Sequence, residues 1–217
     1  MCYYIDEEKE VNSAEDALSG ARDIIAENIS DSADYRREIR AITWSFGSIT
    51  TKQIKEGPSP YENYYDYSEK LSSIPNHRIL AINRAEKEEY IRVSVTVEPS
   101  LILNFLAGEI LGSPESPAYS HVISAITDSY ERLIAPSIER ELRSELFDTA
   151  SEGAIKNFSE NLRNLIMQPP VKGMTVMGYD PGYRTGCKLA VVDPTGKVLD
   201  TAVIYPTKPQ ERTEESK

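Results

Sequence analysis

The 217-residue chain is poor in basic residues, cysteine, histidine and long apolar runs. Lysine and arginine number 24 against 35 aspartates and glutamates, a formal net charge of −11. A surface that grips nucleic acid neutralises phosphates with clustered Lys and Arg, so the bulk charge argues against this chain gripping nucleic acid by itself. Cys2 and Cys187 stand at opposite ends with no CxxC spacing, which excludes a disulfide framework or zinc motif and fits a reducing cytosol. The longest apolar run, Leu101 to Leu106, is far shorter than the roughly 20 residues of a bilayer-spanning helix. Met1 leads into Asp6, Glu7 and Glu8 with neither a basic segment nor an apolar signal core, so no membrane partner and no export signal are expected.

What is present is ordinary globular composition, 40% hydrophobic and 27% charged, enough for one large or two small cores. Ser13 with Asp16 forms a capping signature, and Ala17, Leu18, Ala21, Ile24 and Ile25 follow at helical spacing, predicting a helix to about Ile29. Tyr35, Ile39, Ile42 and Phe46 repeat the pattern up to Gly47, so the chain is expected to open with an antiparallel helix pair. Arg36, Arg37 and Arg40 on the second helix read as a solvated face. Between Gly57 and Ser73, Tyr61, Tyr64, Tyr65 and Tyr67 mark an ordered connection; with no basic residues between them, packing is favoured over base stacking.

Pro75 fits the first turn of a helix running to about Lys87. Ile91, Val93, Val95 and Val97 alternate with Arg92, Ser94 and Thr96, the signature of a half-buried strand that needs a partner. Helical spacing returns from Tyr119 to Met167, with Pro136 expected to divide it and Pro169 and Pro170 to end it.

Beyond the prolines, Met174 to Tyr179, Cys187 to Val192 and Lys197 to Tyr205 read as a three-stranded meander. Asp180 follows the first strand, with Gly182 and Gly186 allowing close backbone approach, an arrangement able to hold a divalent metal against a phosphate. Ribonuclease-H-like nucleases and actin-like ATPases both use it, and a turn aspartate bonded to its own backbone is the plain alternative.

The run GYDPGYRTGCKLAVVDPTGKVLDTAVIYP, Gly178 to Pro206, resembles the opening of the YqgF-like domain of Tex-type transcription accessory proteins. The resemblance extends upstream through SSIPNHRILAINRAEKE, Ser72 to Glu88, and ARDIIAENISD, Ala21 to Asp31, and so covers nearly the whole chain in the family's order. It implies a mainly α protein with a small β component: a helical scaffold over residues 1–170, the opening strands of a truncated ribonuclease-H-like α/β domain over 171–206, and a loose tail over 207–217. It also implies further helical, helix-hairpin-helix and OB-fold RNA-binding regions outside this chain, and contact with RNA or DNA, and with the transcription machinery, through the full-length protein.

Asp180 matches the position that is catalytic in related Holliday-junction resolvases, but Asp193 in a turn and Asp200 on the third strand are badly placed to join it at a metal pair. Tyr179 and Tyr183 stand where the family more often shows an aliphatic residue and Phe. No catalytic residue, metal or cofactor is therefore expected, and Asp180, Gly182 and Gly186 are a candidate vestigial metal or phosphate position. His77, Arg78 and Arg84, with Asn83, are candidate nucleic-acid or scaffold contacts, His77 and Arg84 lying two turns apart on one helix. The expected function is a non-enzymatic, cytoplasmic scaffold segment; a metal-dependent nuclease completed by carboxylates beyond the chain, or an ATP-binding actin-like domain, are the alternatives. The open sheet is expected to exchange amide hydrogens faster than the helices.

Overall fold

The computed structural model describes residues 11–169 and 171–216, so Cys2, the acidic start of the chain, Pro170 and Lys217 lie outside the described residues. The architecture is mainly helical with two small antiparallel sheets, and it divides into two compact units, one through Phe158 and one from Ser159.

In the first unit, α1 (Ala14–Asp31) begins where the Ser13 hydroxyl accepts the Asp16 N–H, as the capping signature predicts. Ser32 ends α1 and caps α2 (Ala33–Phe46), its hydroxyl accepting from the Tyr35 N–H. A single residue cannot make the two- to five-residue loop of a helical hairpin, so the expected antiparallel pair gives way to a corner. α1 packs chiefly against α5 (Tyr119–Asp128) and the turns that follow it.

The strand read from alternation, β3 (Ile91–Thr96), finds its partner in β1 (Ser48–Gln53), with β2 (Ser68–Lys70) on the other edge, in the order β2-β1-β3. Ile49, Thr51, Ile91 and Val93 turn inward and are buried. α3 (Asn76–Lys87) starts one residue after Pro75, whose carbonyl accepts from Arg78 and Ile79. α4 (Pro99–Ile110) carries Pro at its first position and buries Ile102 and Leu106. The sheet and helices share one core in which Ile39, Leu71, Ile79, Ile82, Ile134 and Leu142 are sealed from solvent. Each such side chain contributes roughly 2 kcal/mol of apolar burial.

Pro136 does not divide the helix. α5 passes into a π-helical segment, Ser129–Ile134, and on into α6 (Ala135–Ile166) without a break. The Ala135 N–H donates to the Tyr130 carbonyl five residues back. The wider turn accommodates the proline ring and absorbs the hydrogen bond that Pro136 cannot donate, so the axis continues.

The second unit carries the meander: β4 (Val176–Asp180), β5 (Cys187–Val192) and β6 (Val198–Ile204), paired antiparallel in that order with a register shift at Val191 and Val192. Cys187 is its buried hydrophobic residue, while Met177, Val198 and Val203 are exposed. Residues 207–216, expected as a loose tail, run in turns. Arg212 N–H donates to the Tyr205 carbonyl, and the Ser216 hydroxyl accepts from Tyr205 N–H at 3.2 Å, folding the segment back on the end of β6.

Candidate functional site

α3 and the tyrosine-rich connection meet in a polar cluster. Arg78 donates to Glu69 Oε1 at 2.8 Å and to the Tyr67 hydroxyl at 3.0 Å, and Tyr67 donates in turn to Glu69. Partial burial pushes the Glu69 carboxyl up, but the bonds from Tyr67 and Arg78 outweigh it and hold the group below its ordinary range. Thr51, buried on β1, ties the connection down: its hydroxyl donates to the Tyr64 carbonyl and accepts from Tyr67 N–H. Tyr61 lies against Tyr90 and Tyr64 against Tyr67, ring centroids 5.5 and 5.7 Å apart, so these rings pack on one another. Arg84 holds Glu88 at 2.9 Å one turn along α3, while His77 and Arg84 both reach solvent. The Asn83 side chain donates to the Ile79 carbonyl of its own helix.

The free edge of β3 is closed by side chains. Glu86 on α3 accepts from Val93 N–H, Glu139 on α6 accepts from Val95 N–H, and Arg143 donates to both Glu86 and the Val93 carbonyl. An exposed strand edge is a template for unwanted pairing, and this one is occupied. Of the arginines read as a solvated face, Arg36 reaches Ser137, and Arg40 grips Glu141 and Glu145 across α6. Arg37, held by Asp34, stays exposed. Charges at helical spacing describe a face; they do not disclose that another helix lies on it.

On the meander, Asp180 sits at the end of β4 as expected, its side chain 74% exposed and 4.0 Å from the Lys188 ammonium opposite. The two glycines serve the loop's own closure. A Cβ on Gly182 would lie 2.4 Å from the Gly186 carbonyl oxygen, and one on Gly186, whose φ is +84°, would lie 2.7 Å from Val203 and Tyr205. Asp193 accepts from the Thr195 hydroxyl and from the N–H groups of Thr195 and Lys197, and the Thr195 bonds hold its carboxyl below the usual range. Asp200 accepts from Thr201 N–H.

Among the described residues no group of three carboxylate, imidazole or thiol side chains could hold a metal ion. The described residues of this chain do not by themselves make a two-metal centre. What the sequence reading missed is Lys188 beside Asp180 and Glu69 beneath Arg78. Counting the register back from the turn between β4 and β5 would have found the first, but nothing in the linear pattern signals the second.

Residues 2–158 match the family described as Tex central region-like, and residues 174–217 match the Tex protein YqgF-like domain. Uncharacterized protein YdcI of Bacillus subtilis is 46% identical over 217 residues, covering 98% of this chain and 30% of that protein. Protein tex of Bordetella pertussis is 34% identical over 95% of this chain and 28% of its own length. S1 RNA-binding domain-containing protein 1 of Homo sapiens is 31% identical over 94% of this chain and 22% of its own. The chain thus spans under a third of each of these relatives. No helix among the described residues is long and apolar enough to cross a membrane. The domain order, matched by this arrangement of a helical region followed by a small sheet, places the chain in the Tex family.

Proposed function

We propose that this chain is a non-enzymatic scaffold segment of a nucleic-acid-binding transcription accessory protein. The observation that carries the proposal is the dispersal of carboxylates on the meander. Asp180 faces Lys188, Asp193 is consumed in its turn, and Asp200 bonds its neighbour's backbone. Metal-assisted phosphodiester cleavage needs several carboxylates converging on the reacting phosphate, and these do not. Relatives named for transcription and for RNA binding support the nucleic-acid part of the reading. RNA or DNA contact, and contact with the transcription machinery, are made by the whole protein, of which this segment is one part.

Incubation of the chain with end-labelled RNA and with a four-way DNA junction in Mg²⁺ tests the non-enzymatic part. No cleavage is expected; cleavage that disappears in Asp180→Asn contradicts the proposal and restores the nuclease reading.

A further inference from the structure

The outward face of the β2-β1-β3 sheet carries a charge opposite to that of the chain. Alternation sends Ile49, Thr51 and Val93 into the core, and the register sets Lys52 directly beside Arg92 on the other face, with Lys70 at the far corner of that same face. The positions between them are hydroxyl residues; Thr50 and Ser94 pair across the strands with Oγ atoms 3.0 Å apart. No strand residue on this face is acidic.

Elsewhere in the unit Arg40, Arg78 and Arg143 each hold a carboxylate, whereas Arg36 bonds the Ser30 carbonyl and the Ser137 hydroxyl. Among the described residues, Lys52, Lys70 and Arg92 join no such pair. Like charges set directly opposite on neighbouring strands destabilise a sheet, and an anion shared between them relieves that cost.

We propose that this face binds the phosphate backbone of a nucleic-acid strand. Lys70 lies four residues along the sheet and one strand across from Lys52, roughly 14 Å at ordinary strand spacings. One phosphate cannot reach both, so the ligand carries several. The face has no aromatic strand residue on which a base could stack, so contact is to the backbone and independent of sequence. The acidic surface of the rest of the unit does not forbid this, because charges farther away than about 10 Å are largely screened at 0.1 M salt. The inference rests on the nucleic-acid part of the reading above and not on its non-enzymatic part.

The test is fluorescence anisotropy of a labelled dodecauridylate titrated with the intact chain in EDTA. Three neutralised phosphates give a log–log salt slope of about −2, so affinity falls roughly 20-fold between 50 and 200 mM salt. Lys52→Ala with Arg92→Ala leaves one cation, a slope of about −0.7 and a fall of roughly threefold. Lys156→Ala, outside the face, leaves the slope unchanged. In parallel, the RNA shifts the amide resonances of Ser48–Gln53 and Ile91–Thr96 in the unmutated chain, a readout that does not depend on any variant folding. Absence of binding, an unchanged slope in the double variant, or equal binding of a labelled polyglutamate would overturn the proposal. Absence of binding leaves the scaffold reading standing, whereas Mg²⁺-dependent cleavage sinks that reading and leaves the sheet face untouched.

Discussion

Two three-stranded antiparallel sheets stand in the two units of this chain, and they differ in what covers them. In the first, Ile49 and Ile91 are 2% and 1% exposed because helices seal one face; in the second, Val198 and Val203 are 57% and 52% exposed. Local alternation makes a strand in either case, but burial against a second layer supplies the stability. Charge divides in the same way. Residues 1–158 hold 28 acidic and 16 basic side chains, a net −12, and residues 159–217 hold 7 and 8, a net +1, so the acidity of the chain belongs to the helical unit. A whole-chain charge is thus a poor guide to any one surface, and the cationic sheet face lies inside the more acidic unit.

The comparison breaks most readily at single buried residues. Ile82→Ala, in the sealed core of α3, is expected to cost about 2–5 kcal/mol in urea unfolding, and Val203→Ala under about 0.5 kcal/mol. Equal losses would mean that the second sheet has a core of its own. A smaller effect is expected where side chains close the β3 edge. Glu86→Ala strands the Val93 N–H and removes the carboxylate that Arg143 holds, costing about 1–3 kcal/mol by the same measurement. By contrast Asp180→Asn, at an exposed pair, is expected to stay within about 0.5 kcal/mol.

A further effect is a pH dependence. Glu69 is held below its ordinary range in the folded chain, so the unfolded chain takes up the proton first as pH falls. The contribution of the Tyr67–Glu69–Arg78 cluster is therefore complete above the unfolded carboxylate value, near about 4.3, and lost as pH drops through the lower folded value. Arg78→Met should flatten that acid limb in melts between pH 5 and 3. An unaltered limb would show that the cluster contributes nothing to stability.

Much of this fold was legible where one periodicity dominates. Ser13 capped α1, the valines of β3 alternated cleanly, and all three strands of the meander fell where turn residues bounded them. β1 escaped because SITTKQ has one apolar residue, its partners supplying the rest of the hydrophobic face. α4 escaped as a helix because Leu101, Ile102, Leu103, Phe105 and Leu106 show apolar side chains on every side and erase the helical period. Pro136 reads as a break in any linear scan, and only the π-helical turn before it reveals why it is none. At the candidate site the position of Asp180 was readable, but its partner was not, since pairing across strands is a property of register.

Native-state hydrogen exchange tests the central claim most directly, that stability resides in the helical unit while the meander rides on little core of its own. Amides on the paired sides of β1 and β3, such as Thr50 and Ser94, are expected to exchange at rates set by global unfolding, and those of β5, such as Ala190 and Val191, much faster. Equal protection of the two sheets would contradict that claim.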